Sequence, residues 1–122
     1  MSKKKILLVE DSVITALSIK HFMNMRGIKN IESVLTYKEA VDKIKEEQYD
    51  IALLDICLDG RETGIDVAKV LESESPLTKI FFMSAMWDIP GFKQQLDQVV
   101  CEDFIKKPFD IHKLYEGLKA YL

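Results

Sequence analysis

Four short apolar runs punctuate the chain, and each gives way abruptly to polar residues. Ile6-Leu7-Leu8-Val9 runs into Glu10-Asp11, Ile51-Ala52-Leu53-Leu54 into Asp55, and Ile80-Phe81-Phe82-Met83 into Ser84. A shorter run, Phe104-Ile105, precedes Lys106-Lys107-Pro108. Runs of this length, without polar alternation, predict strands buried on both faces. Ile31-Glu32-Ser33-Val34 alternates only in part, which predicts an exposed or edge strand.

The segments between these runs carry helical spacing. Asp11 or Ser12 caps a helix reaching Arg26, with Ala16, Leu17, Ile19 and Met23 facing inward and Gly27 as its stop. Thr36-Tyr37-Lys38-Glu39 reads as a capping box. It opens a helix to about Glu47, with Ala40, Val41 and Ile44 inward. A turn-rich loop, Asp59 to Gly64, leads into a third helix from Ile65 to Glu74 that buries Val67, Ala68 and Leu71. Asp88 caps a fourth helix with Pro90 in its first turn, and Phe92, Leu96 and Val99 follow at i, i+4 and i+7. Asp110 caps the last helix, with Ile111, Leu114 and Leu118 inward. Strand and helix thus alternate five times. That pattern predicts an α/β domain with a parallel sheet and right-handed crossovers. A closed barrel needs eight such units, so the sheet is open and doubly wound, five strands flanked by five helices.

Size and charge narrow the function. The 122 residues make one domain, 1–122, large enough for a core without disulfides or metals. Lys and Arg number 17 against 20 acids, a net charge of −3, which gives no bulk attraction to nucleic acid. Lys3-Lys4-Lys5 is a solvated entry to the first strand. Cys57 and Cys101 form no CxxC pair and fit a reducing compartment. Ile6 to Val9 is too short for a signal segment, and no run approaches a membrane span. These features predict a cytoplasmic domain with neither a nucleic-acid nor a membrane partner.

Open parallel sheets bind ligands beyond the carboxyl ends of their strands. That rim would gather Glu10, Asp11, Asp55, Ser84 and Lys107. Three converging carboxylates repel one another unless a cation joins them, and Mg²⁺ suits an all-oxygen site. The set supports phosphoryl transfer to a carboxylate, with Asp55 as nucleophile and Lys107 and Ser84 meeting the phosphoryl oxygens.

These residues, in this order and spacing, resemble the receiver domain of two-component response regulators over essentially the whole chain. The resemblance implies a flavodoxin-like strand order 2-1-3-4-5. It maps the acid pair onto Glu10-Asp11, the phosphoacceptor onto Asp55, and the switch hydroxyl onto Ser84, followed by Ala85. The Lys-Pro pair falls on Lys107-Pro108, and the aromatic switch on Phe104. Cys57 would lend a backbone carbonyl to Mg²⁺. A sensor histidine kinase or a histidine phosphotransfer protein would donate the phosphoryl group. A downstream effector would read the face of the fourth helix, fifth strand and fifth helix, where a homodimer would also form on phosphorylation. The domain would be no enzyme beyond its own phosphorylation and dephosphorylation. Cys57 and Met86 occupy positions that tune that hydrolysis. A thiol and a thioether orient water poorly, so slow loss of the phosphoryl group is expected.

The chain also departs from the family pattern. No Pro follows the phosphoacceptor in Asp55-Ile56-Cys57-Leu58-Asp59-Gly60, and the loop to Gly64 is about one residue longer than common forms. Val100-Cys101 replaces the usual Gly-Ala, and Trp87-Asp88-Ile89-Pro90 is an unusual start for the fourth helix. The alternative function is a non-phosphorylated pseudo-receiver that acts only as an interaction module. A haloacid-dehalogenase-type phosphatase would need an acid where Cys57 stands. A nucleotide or flavin binder lacks its glycine motifs.

Overall fold

A computed structural model describes residues 3–58, 62–84, 94, 96–97, 99–106 and 110–122. The elements are β1 (Ile6–Val9), α1 (Val13–Met25), β2 (Ile31–Val34), α2 (Tyr37–Glu46), β3 (Ile51–Asp55), α3 (Gly64–Glu74), β4 (Lys79–Ser84), β5 (Asp103–Lys106) and α4 (Ile111–Lys119). The strands form one parallel sheet in the order β2-β1-β3-β4-β5. Both expectations, the open doubly wound sheet and the 2-1-3-4-5 order, hold. The partly alternating strand is indeed an edge. The helix α4 is the fifth of the sequence reading. The fourth, with its Asp88 cap, falls largely outside the described residues. Of its apolar positions, Leu96 and Val99 pack against the core.

Successive strand residues feed opposite cores, which explains the unbroken apolar runs. Leu7, Val9, Ala52, Leu54 and Phe82 pack on one side of the sheet with Ala40 and Ile44 of α2 and Val67, Ala68 and Leu71 of α3. Ile6, Leu8, Ile51, Leu53, Phe81 and Met83 pack on the other with Ala16, Ile19 and Met23 of α1 and Leu114 and Leu118 of α4.

Helix starts follow local chemistry. The Ser12 hydroxyl, not Asp11, caps α1 by accepting from the Thr15 N–H at 3.3 Å. Gly27 follows with φ 85°, the left-handed conformation that its missing Cβ permits. At α2 the Thr36 hydroxyl accepts from the Glu39 N–H and donates to the Glu39 carboxylate. The fully reciprocal box is at α3: Thr63 caps it, and the Asp66 carboxylate accepts from the Thr63 N–H at 2.8 Å. Leu17 corrects the inward assignment on α1, because it is 60% exposed. The buried stripe runs through Ala16, Ile19 and Met23, and Leu17 lies one residue, about 100° of helix, off it. Val41 is half-buried on α2. Among the described residues, no helix is long and apolar enough to cross a membrane.

Candidate functional site

Register brings the acids together. Val9 pairs with Leu54, so Glu10 and Asp55 are the next residues on adjacent strands. Each also continues its strand's alternation toward the same core: Ile6, Leu8, Glu10 and Ile51, Leu53, Asp55. Glu10 and Asp55 are both buried, and Asp11 is exposed at the rim. One carboxylate oxygen from each of Glu10, Asp11 and Asp55 lies within 4.8 Å of the others. Backbone donors aim two of the three. The Cys57 N–H donates to Asp55 Oδ1 at 3.2 Å, and the Ser12 N–H donates to Glu10 Oε2 at 3.3 Å.

The donor set fits a hard divalent cation. Mg²⁺ takes oxygen ligands and keeps several waters, so one or two carboxylates suffice and the exposed side of Asp11 leaves room for solvent. Burial of two carboxylates beside a third is otherwise costly.

Ser84 is the last residue of β4 and is fully buried. It pairs in register with Lys106, and Asp55 pairs with Met83, so the hydroxyl stands one strand over from the carboxylates. The Ser84 Oγ and the Cys57 Sγ are 3.9 Å apart, within reach of a sulfur hydrogen bond. Phe104 in β5 is half-buried and packs against the core on the α2 and α3 side. Lys107 and Met86 lie outside the described residues.

Two features escape a sequence reading. Gly64 is one. A Cβ there would collide with the Asp55 carbonyl oxygen and stand 2.9 Å from its carbonyl carbon. The Gly64 N–H donates to the Ile56 carbonyl at 2.9 Å, so the start of α3 is pressed against the backbone of the phosphoacceptor candidate. Thr63-Gly64-Ile65-Asp66 carried the signal of a cap, and the glycine read only as part of a turn. The second is the thiol–hydroxyl contact, which depends on the β3–β4 register and has no sequence signature. The other thiol, Cys101, packs against the core on the α2 and α3 side. Burial, with Asp103 and Glu102 close by, pushes its pKa up, so it stays protonated near neutral pH.

A doubly wound sheet with a carboxylate cluster beyond β1 and β3 places the chain in the class of α/β domains that work at their C-terminal rim. The particular family follows from comparison. The profile described as response regulator receiver domain matches residues 6–119, and the chain belongs to that family. It is 29% identical over 122 residues to the polar-differentiation response regulator DivK of Brucella anthropi, covering 98% of this chain and 96% of that one. A CheY-like receiver domain protein from Methanospirillum hungatei JF-1 superposes with a TM-score of 0.88 at 24% identity, over 98% of this chain and 93% of the other. The receiver domain of sensor histidine kinase PA1611 from Pseudomonas aeruginosa PAO1 gives 0.84 at 22%, over 98% of both chains. That structure holds a magnesium ion coordinated in the active site cleft.

Proposed function

We propose that Asp55 accepts a phosphoryl group and that the domain passes this state to partners. The observation that carries the reading is the convergence of Glu10, Asp11 and Asp55 within 4.8 Å at the end of β1 and β3. Membership of the receiver family and the magnesium-bound relative support it. A carboxylate oxygen of Asp55 attacks phosphorus in a phosphohistidine. The new O–P bond forms as the N–P bond breaks, and the imidazole nitrogen of the donor leaves with its electron pair. Glu10, Asp11, Asp55 and the backbone carbonyl of Cys57 would hold Mg²⁺, which when bound would offset charge on the phosphoryl oxygens. Ser84 donates its hydroxyl to one of those oxygens, and Lys107 pairs with another. Phe104 then turns into the space that Ser84 leaves, and the β5–α4 face changes its affinity for an effector. The donor is a sensor histidine kinase or a histidine phosphotransfer protein, and the setting is cytoplasmic. No turnover of a separate substrate is involved.

Incubation with acetyl phosphate and Mg²⁺, followed by intact mass, tests the reading. One phosphoryl adduct is expected on the parent, none with chelator, and none on Asp55→Asn. An unmodified parent under every donor would make the domain an interaction module. An adduct that persists in Asp55→Asn would move the acceptor elsewhere.

A further inference from the structure

A groove of about 500 Å³ runs between α2 and α3. Each helix returns the chain from the carboxyl end of one strand to the start of the next, so the two run the same way. One stripe of each lines the groove: Tyr37, Val41 and Lys45 at i, i+4 and i+8 on α2, and Asp66, Val70 and Glu74 at the same spacing on α3. Glu62, just before α3, lines the end where both helices begin. Tyr37, Val41 and Val70 are half-buried, and Lys45, Glu62 and Glu74 are exposed. Among the described residues none of these three charges enters an ion pair, whereas the nearby Lys43 is held by Glu32 at 3.5 Å.

The two stripes are complementary to each other, so the face is complementary to itself. A two-fold axis laid along the groove sets α2 of one copy on α3 of the other at the same height. Val41 then meets Val70, Lys45 meets Glu74, and the Tyr37 hydroxyl meets the Glu62 carboxylate, each twice. An axis across the groove would instead stack each helix on its own copy and bring Glu74 over Asp66, acid on acid. We propose that the α2–α3 face docks a second copy of this chain about a two-fold axis along the groove. Helices of 10 and 11 residues side by side present a face about 15 Å long and about 20 Å wide. That is well below the ~800 Å² per partner of a standard stable interface, so the dimer is weak and forms at high local concentration. The surface is separate from the β5–α4 face, and the proposal does not depend on the phosphoacceptor reading.

Analytical ultracentrifugation without any phosphoryl donor, from about 10 μM to about 1 mM chain, tests it. The samples are the parent, Lys45→Glu, Glu74→Lys and an equimolar mixture of the two variants, each variant shown folded by its melting curve. The parent's average mass should climb from that of one chain toward that of two. Either variant alone should associate about tenfold more weakly, since two attractive pairs become two repulsive ones. The mixture should regain the parent's profile, because the reversed charges of the two variants complement each other across the axis. A parent that stays monomeric throughout overturns the proposal. So do variants that associate as the parent does, which would place the contact on another face such as β5–α4. A mixture that fails to associate where the parent does would break the Lys45–Glu74 pairing and the proposed axis with it.

Discussion

Asp55, Glu10 and Asp11 crowd negative charge into a space less than 5 Å across, and two of the three are buried. The repulsion is a standing cost to the fold that a divalent cation, when bound, would offset. Removing one carboxylate should therefore help when no metal is present. Asp55→Ala is expected to raise the urea midpoint in chelator, corresponding to a gain in stability on the order of 1 kcal/mol. Millimolar Mg²⁺ should then raise the parent's midpoint and leave the variant's nearly unchanged. A clearly lower midpoint for the variant in chelator would show that the site is not strained. The sequence made these residues legible as a set, because each stands where an apolar run stops. It did not make their distances legible. Those follow from register, which pairs Val9 with Leu54 and so sets Glu10 beside Asp55. The Cys57 contact with Ser84 was hidden for the same reason. Leu17 misled because an apolar residue one step off a helical stripe reads the same as one within it until the neighbouring helix is in place.

Among the described helices, α3 begins against the backbone of Asp55 and Ile56. Its first residue, Gly64, is there because of the close approach of the Asp55 backbone, not because of an unusual φ. Gly64→Ala should cost roughly 1–3 kcal/mol, the range for forced overpacking, and should slow phosphoryl uptake by shifting Asp55. Gly117 in α4 makes the contrast, since a Cβ there meets nothing within 4 Å. Gly117→Ala should stabilise the helix by about 0.5–1 kcal/mol and leave uptake alone. Chemical denaturation of both variants, with initial rates from acetyl phosphate, checks the pair. Similar effects at the two sites would contradict the packing argument. Helix caps were legible where a small polar residue preceded apolar periodicity, as at Ser12, Thr36 and Asp110. The reciprocal box at Thr63 went unread because its third position is Asp66 and a turn-rich loop precedes it.

Across the described residues, the carboxylate cluster and a network of ion pairs lie at opposite ends of the sheet. At the end where β1 and β3 begin, Lys5 Nζ pairs with Glu47 at 2.9 Å and with Glu32 at 3.6 Å, and the buried Tyr49 hydroxyl donates to both acids. The hydrogen bond from Lys5, then that from Tyr49, holds the Glu47 carboxyl below its ordinary value of 4.5. A carboxyl depressed in the folded state adds stability above its unfolded value and loses it as pH falls through the folded one. Glu47→Gln should therefore lower stability at neutral pH, with the gap to the parent closing in acid, and phosphoryl uptake should be unaffected. Urea midpoints from pH 7 down through the carboxylate range check this; a gap that stays constant would mean that the ion pair is not its source. The doubly wound topology, by contrast, was plain from the alternation of apolar runs and helical spacing, since strands fed by two cores leave no polar face. The central claim concerns one side chain of this assembly. Borohydride reduces an aspartyl phosphate to homoserine, so reduction of the phosphorylated chain and peptide sequencing marks the acceptor directly. The account predicts homoserine at position 55 and at no other acid; homoserine at Asp11 or elsewhere, with Asp55 intact, would contradict it.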